Sequence, residues 1–204
     1  MTLTELYNHA RPLPYKLEFT DKYTYAVVNK LLVAKYLDIN DIMTLETPIN
    51  AYIKSVGAVL LFPNILGDTI TNLYVKPIHS KDIPLKLGDP SIPFGFNYIR
   101  PNFKYGNPLY LVEGLGDLAG LKFIRPNLDV IPMQSNSLSD EHLQVIAKLT
   151  NYIIIFADND TAGINASKFL KAKLTKLGVT TLVIPQFGSY KDSGDILDST
   201  LKYL

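Results

Sequence analysis

Cysteine is missing from this chain, so no disulfide can staple it and no zinc site can be built on thiolates. Tryptophan is missing too. Histidine is scarce, and His9, His79 and His142 are too scattered to suggest a metal triad. No apolar run approaches the roughly 18 residues of a membrane span, and neither end has the charged-then-apolar pattern of a signal, which reads as a soluble, cytoplasmic protein. An excess of one charge is also lacking. With 20 basic and 19 acidic residues the formal net charge is +1, so nothing global announces a nucleic-acid binder, although acids around a metal could hide a local basic surface in that total. There is no Walker-type phosphate loop, no dinucleotide fingerprint, no internal repeat and no low-complexity linker.

What is present is enough apolar material for a substantial core. The 204 residues are 47% hydrophobic, which suits one or two compact domains. Residues Asp21 to Leu37 carry a helix-like apolar pattern, broken by a polar segment from Asp38 to Ile42 that looks like a fresh helix cap. Val59–Pro63 and Thr69–Val75 predict two strands around a Gly67-Asp68 turn. Residues 80–108 are rich in proline and glycine and predict irregular chain. Beyond them, strand-like runs near 109–113, 128–132, 152–157 and 180–185 alternate with helix-like runs near 116–124, 139–149 and 161–177. That alternation predicts parallel βαβ units with helices on both faces of the sheet. The boundary falls near residue 108, between an N-terminal α+β subdomain (1–108) and an α/β domain (109–204).

Acids stand at the ends of three of these strands. Asp158-Asn159-Asp160 follows the apolar run Tyr152–Phe156, Glu113-Gly114 follows Leu109–Val112, and Asp192-Ser193-Gly194-Asp195 follows Val183-Ile184-Pro185. Open α/β sheets bind ligands at the carboxyl ends of their strands. Several carboxylates there suit a hard divalent cation that keeps waters and takes substrate phosphates. Bland roles are open for each acid: Asp160 can cap the helix after it, Asp117 and Asp195 can cap theirs, and Asp158 can cap a turn.

The order of motifs resembles the Toprim domain of bacterial-type primases, topoisomerases and some nucleases. The resemblance rests on Glu113-Gly114 with Asp117, on Asp158-x-Asp160 with Ala162-Gly163, and on Lys191-Asp192-x-Gly194-Asp195. A looser likeness to primase catalytic cores runs through Leu61-Phe62-Pro63, Gly67-Asp68, Lys76 and Leu87–Phe94, so that the whole covers roughly residues 58–198. It implies a Toprim-type parallel sheet flanked by helices, with a smaller α+β subdomain in front. It implies Mg²⁺ or Mn²⁺ held by a set drawn from Glu113, Asp117, Asp158, Asp160, Asp192 and Asp195, with Glu113 and Asp158 in catalysis. Lys76, Arg100, Lys104 and Lys191 become candidates for nucleotide or nucleic-acid phosphate. Tyr98, Phe103 and Tyr105, interleaved with Arg100 and Lys104, would suit base stacking or equally a core.

The activity so implied is synthesis of short RNA primers on single-stranded DNA from ribonucleoside triphosphates. Rivals are a Toprim nuclease using the same acids and a non-catalytic binding module of a replication complex. Complete bacterial-type primases carry a cysteine zinc ribbon that this chain cannot supply, so the resemblance also implies a zinc-ribbon or replicative-helicase partner.

Overall fold

The computed structural model describes residues 1–17, 21–43, 49–78, 82–134, 138–185, 190 and 192–201. The backbone divides into two compact units, Met1–Thr20 with Thr24–Pro90, and Asp21–Tyr23 with Ser91–Leu204.

The first unit is built on a four-stranded antiparallel sheet. In chain order its part of the molecule contains α1 (Leu3–His9), α2 (Lys22–Val28, whose first two residues, Lys22 and Tyr23, group with the second unit), β1 (Lys35–Asp38), α3 (Ile39–Ile42), α4 (Asn50–Val56), β2 (Ala58–Leu66), β3 (Thr69–Pro77) and β4 (Leu85–Gly88). The strands are arranged β1-β2-β3-β4. The hairpin β2–β3 turns at Gly67, whose φ of +60° is the left-handed conformation that glycine enters without penalty. Leu37, Ile49, Ile53, Val59, Leu61 and Val75 are fully buried and form the core beneath the helices. Asp38 does cap α3, accepting from Asn40 N and Asp41 N in a capping box.

Two local expectations are corrected here. The helical pattern of Asp21–Leu37 continues only to Val28; Lys30 turns left-handed (φ +59°) and residues 35–38 become a strand. Register with Ala58–Leu61 buries Leu37 and satisfies the strand backbone, and that tertiary pairing outweighs a local periodicity. Within residues 80–108, expected to be irregular, Leu85–Gly88 pairs with Asn72–Val75 as a short edge strand. Leu85 and Leu87 pack against the core and alternate with exposed Lys86 and Gly88, and the lysine helps to protect this short edge strand.

The second unit contains the predicted α/β alternation: β5 (Leu109–Val112), α5 (Leu115–Ile124), β6 (Val130–Pro132), α6 (Asp140–Leu149), β7 (Tyr152–Ala157), α7 (Thr161–Lys176), β8 (Thr180–Pro185) and α8 (Ser193–Leu201). All pairings are parallel and the order is β6-β5-β7-β8. Helix α5 packs with α8, and α6 with α7. Leu109, Leu111, Ile131, Ile146, Ile153, Ile155 and Leu174 make the core. From β5 the chain steps outward to β6, then returns across β5 to β7. The crevice between the carboxyl ends of β5 and β7 is therefore the topological switch point, where such sheets bind ligands.

Residues 91–108 cluster with this sheet. Arg100 donates its backbone N–H and its guanidinium to Asp129, just before β6, and Lys122 of α5 donates to the carbonyls of Tyr98, Pro126 and Leu128. No helix among the described residues is long and apolar enough to cross a membrane.

Candidate active site at the carboxyl edge of the parallel sheet

Three carboxylates converge at this edge. Asp117, Asp158 and Asp192 each offer an oxygen, and the three oxygens lie within 4.8 Å of one another. Each comes from a different piece of the fold. Asp158 follows β7 directly and is 7% exposed. Asp117 stands in the first turn of α5, where its Oδ2 accepts from Gly114 N at 2.9 Å and its Oδ1 from Gly194 N at 3.4 Å. Asp192 precedes α8, and its Oδ1 accepts from Asp195 N at 2.8 Å.

Glycines make this convergence possible. A Cβ on Gly120 of α5 would lie 1.8 Å from the carbonyl oxygen of Ser193, so α8 can approach α5 only because position 120 has no side chain. Ser193 Oγ locks the same contact by donating to the Asp117 carbonyl at 2.9 Å. On the other side, a Cβ on Gly163 would stand 2.6 Å from the Asp158 carbonyl oxygen. Helix α7 therefore starts against the strand end it follows.

Electrostatics sets the cost of the arrangement. Burial pushes the Asp117 carboxyl up, the charges of Asp192 and Asp158 push it further, and it reaches about 7 despite the two backbone N–H donors. Three like charges held this close destabilise the fold unless a proton or cation joins them. A divalent cation with oxygen preference fits that donor set of carboxylates from three separate elements.

Against this geometry, residues 110–197 match the family described as Toprim-like. The matched segment runs from β5 into α8. The chain is 38% identical over 109 residues to an uncharacterised protein of Mycoplasma genitalium, covering 52% of this chain and 49% of that one. It is 28% identical over 123 residues to a DNA primase of Staphylococcus aureus, covering 58% of this chain and 19% of the primase. The chain thus spans about half the length of the first relative and a fifth of the second. Among solved structures, the Escherichia coli primase catalytic core shares the fold with a TM-score of 0.64 at 14% identity, over 90% of this chain and 67% of that one. A DnaG primase catalytic domain bound to single-stranded DNA gives 0.67 at 13% identity, over 97% of this chain and 73% of that one. The fold is that of primase catalytic cores: a Toprim-like parallel sheet flanked by helices, with an antiparallel sheet preceding it.

The remaining candidate acids flank the trio in sequence. Glu113 follows β5, accepts Gln134 N on its carbonyl, and shares a cleft with Asp158 and Gly163. Asp160 caps α7, its Oδ1 accepting from Gly163 N at 2.8 Å. Asp195 lies in the first turn of α8. Neither Asp160, Asp195 nor Glu113 belongs to the trio. Of the basic residues, Arg100 is engaged by the buried Asp129 at 2.7 Å, Lys104 is exposed, and Lys76 lies on β3 of the other unit. Lys191 lies outside the described residues, as does His79. Tyr98 is buried and Phe103 packs against the core, whereas Tyr105 is 66% exposed.

Sequence reasoning missed Lys22 and Tyr23. Lys22 Nζ donates to Asp198 Oδ2 of α8 at 2.8 Å. Burial would lower its ammonium, but the hydrogen bond and charge of Asp198 prevail and raise it above its ordinary value. Burial likewise raises the Tyr23 phenol. No motif marks these two residues; they precede the first Toprim-like strand by most of a hundred positions of unrelated pattern.

Proposed function

We propose that this protein is a primase-type nucleotidyltransferase that extends short RNA on a single-stranded DNA template. The observation that carries the reading is the convergence of Asp117, Asp158 and Asp192 at the switch point of a fold shared with primase catalytic cores. In the reaction, a ribonucleotide 3′-oxygen bonds to the α-phosphorus of an incoming triphosphate, and the bond from that phosphorus to pyrophosphate breaks. Asp117, Asp158 and Asp192 would hold Mg²⁺ or Mn²⁺, with Asp160 and Asp195 behind them on their helix termini. The bound cation would supply charge stabilisation for the attacking and leaving oxygens. Glu113, beside Asp158 in the same cleft, accepts the proton leaving the 3′-hydroxyl.

Residues 100–107 lie at the amino ends of β5, β6 and β7, where Thr150 donates to the Asn107 carbonyl and Arg100 binds Asp129, so they do not line the acid site at the carboxyl edge. Exposed Lys104 and Tyr105 could meet template only away from the acids, and Lys76 and Lys191 are the remaining candidates for triphosphate. Arg100, tied to Asp129, fixes the turn that carries Lys104 at that amino edge. These 204 residues hold no cysteine, so a zinc ribbon that reads template would lie outside them, and a replicative helicase is the partner we propose.

The test is primer synthesis with single-stranded DNA, labelled ribonucleotides and Mn²⁺ or Mg²⁺, alone and with helicase added. Template-dependent products are expected, and Glu113→Gln or Asp158→Asn should reduce them by at least about a hundredfold. Metal-dependent shortening of the DNA without synthesis would replace this reading by a nuclease. No chemistry under any condition would leave a binding module.

A further inference from the structure

The Lys22 ammonium sits where the two helices bearing Asp117 and Asp192 meet. A Cβ on Gly116, one residue before Asp117, would lie 3.1 Å from Lys22 Cε and 3.4 Å from its Nζ. A Cβ on Gly194, two residues after Asp192, would lie 3.1 Å from the same Nζ. The lysine side chain therefore runs across two bare backbone positions, one in the first turn of α5 and one in the first turn of α8, and ends on Asp198. It is only 21% exposed, and its partner lies 176 residues away in sequence. The carboxylates it faces are Asp198, by hydrogen bond, and Asp192, through space, with the Tyr23 phenol beside it.

We propose that Lys22 is a positioning residue of the acid site, clamping the N-terminal turns of α5 and α8 so that Asp117 and Asp192 converge on one divalent cation. The inference rests on the metal-site reading above. Two physical effects of this ammonium oppose each other, which makes the assignment decidable. As a nearby positive charge, Lys22 repels a divalent ion, so deleting a mere bystander would tighten metal binding. As a clamp, Lys22 offsets the mutual repulsion of the carboxylates and holds their carriers in place, so deleting it should loosen the site. Residues that orient metal ligands typically change affinity by about 10–100-fold when removed.

The experiment is Mn²⁺ titration by calorimetry on the full chain, comparing the parent with Lys22→Met, Lys22→Arg and Asp198→Asn. The expected result is about tenfold weaker Mn²⁺ binding for Lys22→Met. Lys22→Arg should retain most of the affinity, and Asp198→Asn should lose part of it. Hydrogen exchange in the metal-free protein gives an independent readout. The amides of Gly194 and Asp195, which donate to Asp117 and Asp192, should exchange faster in Lys22→Met. If Lys22→Met does not fold, the Asp198→Asn and Lys22→Arg arms decide: parental affinity and exchange in Asp198→Asn overturn the clamp. Parental or tighter Mn²⁺ binding by folded Lys22→Met overturns the Lys22 assignment while leaving the metal site standing. A parent that binds no Mn²⁺ overturns both.

Discussion

Replacing Asp117 by asparagine should make the metal-free protein more stable while weakening its metal site. In the fold the Asp117 carboxyl is pushed to about 7 by burial and by the charges of Asp192 and Asp158, against 3.8 for an ordinary aspartate. The sign follows from proton binding. A carboxyl whose folded value is raised leaves stability intact below about pH 4, loses it as pH climbs toward 7, and is flat above. At 1.36 kcal/mol per unit, the gap between 3.8 and about 7 bounds the loss at roughly 4 kcal/mol. Asparagine removes the charge and can still accept from Gly114 N, but it gives up the stronger charge-assisted bonds. About half the bound, roughly 2 kcal/mol, should be recovered, which is about 4–8 °C in melting temperature for a chain of this size. The assay is thermal unfolding by circular dichroism in chelator, from pH 4 to pH 8. Parent and Asp117→Asn should coincide near pH 4 and separate as pH rises, the variant melting higher. Saturating Mn²⁺ should then stabilise the parent, by about 2.7 kcal/mol at a hundredfold excess over Kd, and should stabilise the variant much less. An Asp117→Asn protein that melts lower than the parent at pH 8 without metal, by a margin that does not change with pH, would refute the reasoning.

Two further outcomes test the frame around the site. Gly120→Ala adds a methyl where the Ser193 carbonyl stands at 1.8 Å, so α8 must move away from α5. The expected loss is about 1–3 kcal/mol, seen in urea unfolding, together with weaker Mn²⁺ binding; parental stability and binding would show that the two helices are not seated against each other. Arg100→Ala strips the partner from Asp129, which is 2% exposed, and should lower the melting temperature in the absence of any nucleic acid. An Arg100→Ala protein that melts like the parent but loses DNA affinity would instead make Arg100 a phosphate contact.

Some of this was legible in the chain because it is written in short range. The runs Leu109–Val112, Tyr152–Ala157 and Thr180–Pro185 are apolar and strand-length, and they alternate with segments of helical period. That pattern alone determines a parallel sheet, and a parallel sheet carries the residues after each strand to one edge. Glu113 and Asp158 could therefore be placed near each other without coordinates. In the N-terminal part, by contrast, Asp21–Leu37 has a helical period and yet ends as strand β1, because its partner Ala58–Leu61 is too distant in sequence to enter a local pattern.

Tertiary structure alone decided which acids meet. Asp-x-Asp spacing treats Asp158 and Asp160 alike, but the chain turns between them, so Asp158 joins Asp117 and Asp192 while Asp160 spends its Oδ1 on the first turn of α7. It also decided that Asp117 is more than a helix cap. That depends on the approach of α8 across Gly120, a contact between residues more than seventy positions apart. Lys22 is the extreme case: only folding brings its ammonium to Asp198. Sequence records which groups exist and how each short segment prefers to fold, whereas the sharing of charge among groups depends on distances that only packing sets.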